Sequence, residues 1–118
     1  MNFKIFTIFP EIFPGILSSS ITGAALKKKL WSIDAVNIRD YALDKHKTVD
    51  DRPYGGGPGM LMKVQPLREA LLSIKNSELS AVKNKVVYLS PQGQPLTQSI
   101  VRELSENEQL ILLAGRYE

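Results

Sequence analysis

Hydrophobic positions along the chain fall into short blocks whose period changes from two to about 3.6 and back. Residues 2–9 alternate and are rich in Phe and Ile, which predicts a strand. Pro10 ends it. Pro10-Glu11-Ile12-Phe13 has the Pro-first, early-acid pattern of a short helical turn. Residues 20–30 read as a helix, with Ser20 or Thr22 as cap and Lys27, Lys28 and Lys29 in the last turn, where cations suit the dipole. Residues 32–38 predict a second strand. Residues 39–60 then lose any clear period. A helix resumes over 64–75, with Leu67, Leu71, Leu72 and Ile74 as its apolar face. A short apolar strand follows at 85–90 and a turn at 91–95. Residues 96–106 read as a helix with Leu96, Ile100, Val101 and Leu104 on one side, and 109–114 as a last, buried strand. Strands alternating with helices, and strands apolar almost throughout, predict an α/β fold: a parallel sheet covered by helices on both faces.

The aperiodic stretch is the most specific part of the chain. A loop that long inside a compact domain is uncommon and tends to carry function. Four of the eight glycines fall within positions 55–59, between Pro53-Tyr54 and Met60. Glycines permit positive φ and close backbone approach, so their amides can face an anion or a flat base. The spacing is neither the dinucleotide fingerprint nor the phosphate-loop pattern. Paired prolines and Tyr54 distinguish it from a Gly/Ser linker. Asp50 and Asp51 precede it as neighbouring carboxylates, able to bind a cation or accept from a base edge. His46 is the sole histidine and sits between Lys45 and Lys47, cations that favour its neutral form. An ordinary surface role and a ligand-facing role fit it equally. Lys27-Lys28-Lys29 reads as a solvated helix end first and a phosphate contact second.

Two strands end in polar, glycine-containing loops, Ser90–Pro95 and Gly115–Glu118. In open α/β sheets, ligands sit beyond the carboxyl ends of strands. Together these loops predict a small-ligand crevice in which backbone groups read a purine edge and tyrosines pack on it. No Ser–His–Asp set and no paired carboxylates for hydrolysis stand out.

Composition narrows the picture. The chain has 118 residues, 43% of them hydrophobic and 23% charged, which suits one globular domain. It has no cysteine, which excludes disulfides, Cys-ligated metals and a thiol nucleophile, and fits a reducing compartment. No apolar run approaches the roughly 20 residues of a membrane span, and the start of the chain lacks the layout of a signal peptide. The net charge of +3 is uneven: residues 1–75 carry +4 and residues 76–118 carry −1. A basic first part permits a polyanionic partner such as nucleic acid.

The residues that stand out also resemble a known family. The run Asp50–Met62 (DDRPYGGGPGMLM), the opening Ile8-Phe9-Pro10-Glu11 with Phe13, the segment Val87–Gly93 and the terminal Ala114-Gly115-Arg116-Tyr117-Glu118 closely resemble bacterial tRNA (guanine-N1)-methyltransferases. The four motifs occur in the family's order and span the whole chain. The resemblance implies a SPOUT-type knotted methyltransferase domain. Residues 1–118 would be the N-terminal part of that S-adenosyl-L-methionine-binding domain, with the knot incomplete and the C-terminal tRNA-binding domain absent. It implies methyl transfer from S-adenosyl-L-methionine to N1 of guanosine 37 in tRNA, by a cytoplasmic homodimer whose active sites are shared between subunits. A magnesium requirement comes with the family, with no ligands assigned. By similarity, Tyr88, Leu89, Ser90, Pro91, Gly115, Tyr117 and Glu118 would lie in the donor pocket. His46, Asp50, Asp51, Arg52, Gly55, Gly56, Gly57 and Gly59 would lie near the flipped target base of the tRNA. The family's general base, an Asp, and an important Arg fall downstream, so no catalytic residue is expected within 1–118 and the chain alone is expected to be inactive. The competing expectations are an RNA-binding or dimerisation module without chemistry, and another nucleotide-binding α/β enzyme, which the missing phosphate-loop patterns disfavour.

Overall fold

The computed structural model describes residues 1–74 and 80–116. Four strands form one sheet: β1 (Asn2–Thr7), β2 (Ser32–Asn37), β5 (Asn84–Tyr88) and β6 (Gln109–Ala114), in the order β2-β1-β6-β5. Every pairing in it is parallel, as the apolar strands predicted. β1 and β6 are central and align Phe6 with Leu113. All four strands therefore end at the same edge of the sheet.

Alternation along the strands decides what each face buries. On one face Phe6, Ile8, Ile111 and Leu113 pack with Ile38, Val49, Ala70 and Ile74 as the core. Helix α2 (Val64–Leu72) covers this face. Pro66 is tolerated because it stands in the first turn, where backbone N–H groups have no partner within the helix. Of its expected apolar face, Leu67 and Leu71 pack on the core, whereas Leu72 is turned outward. Ala70, which the apolar pattern did not single out, is fully buried, as is Pro66.

The other face carries Phe3, Ile5 and Leu112. Helices α1 (Ser20–Lys27) and α3 (Gln98–Ser105) flank it. Between α1 and β1 lies an almost wholly apolar cavity of about 480 Å³, lined by Phe3, Ile5, Phe13, Leu17, Trp31 and Leu112 among others. Coverage of this face is thus thinner than expected. Gly23 lets α1 approach the preceding turn: a Cβ there would overlap the Ser18 carbonyl. α1 stops three residues short of the expected end. Lys29 adopts φ +59°, and the Leu30 amide donates back to the Ala25 carbonyl, which closes the helix. Ser19 rather than Ser20 or Thr22 occupies the N-cap position. α3 has a side-chain cap, with Thr97 Oγ1 accepting from the Ile100 amide (3.3 Å).

The largest departure lies in residues 39–60, expected to be one loop. A 3-10 turn spans Ile38–Tyr41, capped by Asn37 Oδ1 accepting from the Arg39 amide. A two-stranded antiparallel hairpin follows, β3 (Asp50–Asp51) with β4 (Leu61–Met62). Strands this short leave no period to detect. They form because Val49, fully buried, anchors one leg in the core and Met62 packs against the same cluster.

Candidate functional site

The common carboxyl edge of β1, β6 and β5 positions the first candidate region. The Leu89 amide donates to the Leu113 carbonyl (3.1 Å), so the chain stays bound to β6 just past the end of β5. The turn after it is organised by Ser90. Its carbonyl accepts from the Gly93 amide (3.0 Å) and its Oγ accepts from the Gln92 amide (3.2 Å). A groove of about 710 Å³ runs from Lys85 along β5, between the sheet and α3, and reaches this turn. Tyr88, Leu89 and Ser90 line it with Gly93, Gln94 and Leu96, over Ile100 of α3 and Leu112 of β6. Its size and mainly apolar lining fit a nucleoside-sized ligand held by a few polar groups.

Of the residues expected to bind the donor, Tyr88, Leu89 and Ser90 meet in this groove. Pro91 belongs to the same turn and Gly115 follows the end of β6, but neither lines the groove. Tyr117 and Glu118 lie outside the described residues. Arg116, part of the terminal motif but given no role there, holds its guanidinium 5.8 Å from the centre of the Phe9 ring, a cation–π contact across the strand ends.

The hairpin is the second region. Gly55, Gly56, Gly57 and Gly59 all have positive φ, the conformation that glycine permits. A Cβ at Gly56 or Gly57 would meet nothing within 4 Å, so glycine serves the backbone there, not a close approach. The chain turns at its tip with the Gly56 amide donating to the Pro53 carbonyl (3.1 Å). Tyr54 stands 96% exposed. A cavity of about 410 Å³ beside it is lined by Asp51, Arg52, Tyr54, Met62, Lys63 and Gln65 among others. Asp51 is exposed, and its Oδ1 accepts from the Arg52 amide (2.8 Å). Asp50 is half-buried where β3 meets Met62. His46 is exposed in the turn that leads to β3. So His46, Asp50, Asp51, Arg52 and the glycines belong to one hairpin and its approach. Among the described residues, none lines both this cavity and the strand-end groove.

Sequence reasoning missed the residues that hold the hairpin. Asp44 accepts from both the amide and the hydroxyl of Thr48. Lys63 donates to the same hydroxyl (3.0 Å). The signal was an Asp followed four residues later by Thr, a local side-chain-to-backbone pattern that competes with helix. The Thr48 hydroxyl, chiefly, holds the Asp44 carboxyl below its ordinary 3.8, aided by the Thr48 amide and by Lys63. A depressed carboxylate stabilises the fold when ionised. That contribution is complete above about 3.8 and disappears as pH falls through the lower folded value. The Asp44 carboxyl carbon and the Thr48 amide are therefore expected to titrate together in NMR, with a midpoint under 3.8, and Thr48→Val should raise it. A midpoint at 3.8 or above in the unsubstituted protein would contradict the arrangement.

Among the described residues no three His, Cys, Asp or Glu side chains converge to hold a metal, so the expected magnesium finds no ligand set there. No helix among them is long and apolar enough to cross a membrane.

The family model described as tRNA (Guanine-1)-methyltransferase TrmD matches residues 1–118. This chain belongs to that family. Curated tRNA (guanine-N(1)-)-methyltransferases agree with the assignment. The protein of Photobacterium profundum is 58% identical over 114 residues, covering 97% of this chain and 45% of the relative. That of a Marinomonas species is 53% identical over 118 residues, covering 100% and 46%. The crystal structure of tRNA (m1G37) methyltransferase from Aquifex aeolicus superposes with a TM-score of 0.79 at 32% identity, over 96% of this chain and 50% of that one. The parallel sheet with flanking helices is thus the family's fold. The chain spans about half the length of the curated relatives it matches.

Proposed function

We propose that this chain is the N-terminal part of a cytoplasmic, homodimeric enzyme that moves a methyl group from S-adenosyl-L-methionine to N1 of guanosine 37 in tRNA. The observation that supports this best is the pairing, within one matched domain, of a nucleoside-sized groove reaching the strand ends with an exposed glycine hairpin that carries charged groups and Tyr54. The knot, the rest of the donor pocket and the tRNA-gripping domain would come from the other half of the family's length.

The reaction explains why both regions are needed. N1 of guanine carries a proton and lies on the Watson–Crick edge, so the base must be unstacked and exposed. A general base must take that proton while charge on O6 is stabilised. The donor, when bound, supplies an electrophilic methyl group. On this chain, Tyr88, Leu89 and Ser90 would hold the donor, and by the family resemblance Pro91, Gly115, Tyr117 and Glu118 would join them in the complete donor pocket. His46, Asp50, Asp51, Arg52 and the glycines would face the tRNA, and Tyr54 offers a ring on which an unstacked base can rest. Arg39, Lys45, Lys47 and Lys63 lie on or beside the hairpin's approach and can meet phosphates.

The test uses the full-length protein and an unmodified tRNA transcript with guanosine at 37. Mass spectrometry of the digested product should show N1-methylguanosine, and its absence would sink the reading. Tyr54→Ala should weaken tRNA binding by about 1–3 kcal/mol, the usual worth of one base stacked on an aromatic ring. Filter binding at fixed salt reads that loss. Unchanged affinity would remove Tyr54 from the interface.

A further inference from the structure

The hairpin that carries the exposed tyrosine and four positive-φ glycines has almost no sheet to hold it. β3 and β4 pair over two residues each, Asp50 with Met62 and Asp51 with Leu61. An isolated two-stranded ribbon of normal length is already marginal in water. Glycines widen the range of conformations the tip can take. Something else must fix the base of this loop.

That base is a chain of side chains running from one leg to the other. On the descending side, Lys63 follows β4. Its amide donates to the Val49 carbonyl (2.7 Å) and its Nζ donates to Thr48 Oγ1 (3.0 Å). On the ascending side, the Thr48 hydroxyl donates its own proton to Asp44 Oδ2 (2.9 Å), and the Thr48 amide donates to the same carboxylate (3.1 Å to Oδ1). All the donors point one way, from ammonium to hydroxyl to carboxylate. Such a chain is charge-assisted at both ends and its bonds polarise one another. Asp44 is itself held in place. The Lys47 amide donates to its carbonyl (3.2 Å), Lys47 Nζ donates to the Ala42 carbonyl, and Arg39 Nη1 donates to the Lys47 carbonyl. Lys47 takes φ +53° to make this turn, a conformation that a non-glycine residue keeps only when its surroundings hold it.

We propose that Asp44 is a positioning residue for RNA: through Thr48 and Lys63 it ties the two legs of the glycine hairpin together and presets the loop 53–60 for its partner. On this proposal Asp44 need touch neither RNA nor donor. It acts by removing freedom from a loop that would otherwise be ordered at the moment of binding, and a preset loop binds more tightly because less freedom is lost then. This inference rests on the tRNA reading above. It adds a residue and a mechanism that the glycine motif does not contain.

The experiment compares Asp44→Ala, Asp44→Asn and Thr48→Val with the unsubstituted full-length protein. Thr48→Val keeps the shape and the amide but breaks the relay at its hydroxyl, so it serves if Asp44→Ala disturbs the turn. Three quantities are read: affinity for the unmodified tRNA transcript, affinity for S-adenosyl-L-methionine, and amide exchange at Lys63 and Met62. Asp44→Ala and Thr48→Val should weaken tRNA binding about tenfold, raise KM for tRNA more than they lower kcat, and speed exchange at both amides. Donor affinity should stay within about twofold, which a general loss of folding would not allow. Asp44→Asn, which still offers an oxygen to the Thr48 amide, should recover much of the loss. If the unsubstituted protein does not bind tRNA, the functional reading fails and this inference falls with it. If it binds tRNA and the two variants bind equally well, or if tRNA and donor affinity fall together, the functional reading stands and the positioning role is overturned.

Discussion

Phe6→Ala is expected to cost about 3–5 kcal/mol, enough to leave the domain unfolded or nearly so. Phe6 is fully buried near the carboxyl end of β1, between β2 and β6. Its ring belongs to the cluster that joins the sheet to α2, with Ile111 and Leu113 beside it on β6 and Ala70 and Ile74 opposite. Removing the ring loses its transfer free energy and leaves a cavity that two central strands cannot close by moving. Leu72→Ala is the matched control: Leu72 is 64% exposed on the outer side of α2, so its truncation should fall within about 0.5 kcal/mol. Urea denaturation of both variants reads the difference. A Phe6→Ala cost under about 1 kcal/mol would mean that α2 does not seal this face as described.

The strands were legible because each repeats a local pattern several times, and the pattern agrees with what the sheet then requires. Residues 110–114 are apolar throughout, as a central strand packed on both sides requires, and residues 3–8 carry Phe or Ile toward each face in turn, so a sequence shows these strands directly. The hairpin was not legible for the opposite reason. Its two-residue strands have no period, and what orders them is Val49 in the core and a relay from Asp44 to Lys63, nineteen positions apart in sequence. The end of α1 was hidden because Lys29 fills a left-handed position where glycine or asparagine would have announced the stop. At the candidate site, the positive φ of the glycines could be read from their clustering. The meeting of Tyr88, Leu89 and Ser90 over α3 could only be guessed from where strands end.

Residues 1–118 alone are expected to give no detectable methyl transfer to tRNA, with any residual rate at least about 10²-fold below that of the full-length protein. The first reason is the proton on N1. A general base must come within about 2.6–3.2 Å of it in the reacting geometry. Among the described residues around the strand-end groove, the acid on hand is Glu103, and Lys85 already binds its carboxylate at 3.0 Å. Asp50, Asp51 and His46 sit on or before the hairpin, whose cavity shares no described residue with the groove. The second reason is the uncovered face. Ile16, Ile21 and Leu96 are largely exposed around the apolar side of the sheet flanked by α1 and α3. A face of that kind needs a covering element before the groove's walls are fixed. Purified residues 1–118, confirmed by mass spectrometry, are incubated with tRNA transcript and methyl-labelled donor beside the full-length protein. Label in the tRNA from the short chain at a comparable rate would show that a base is already present on these elements, and His46 with the two hairpin aspartates would then be the first groups to replace.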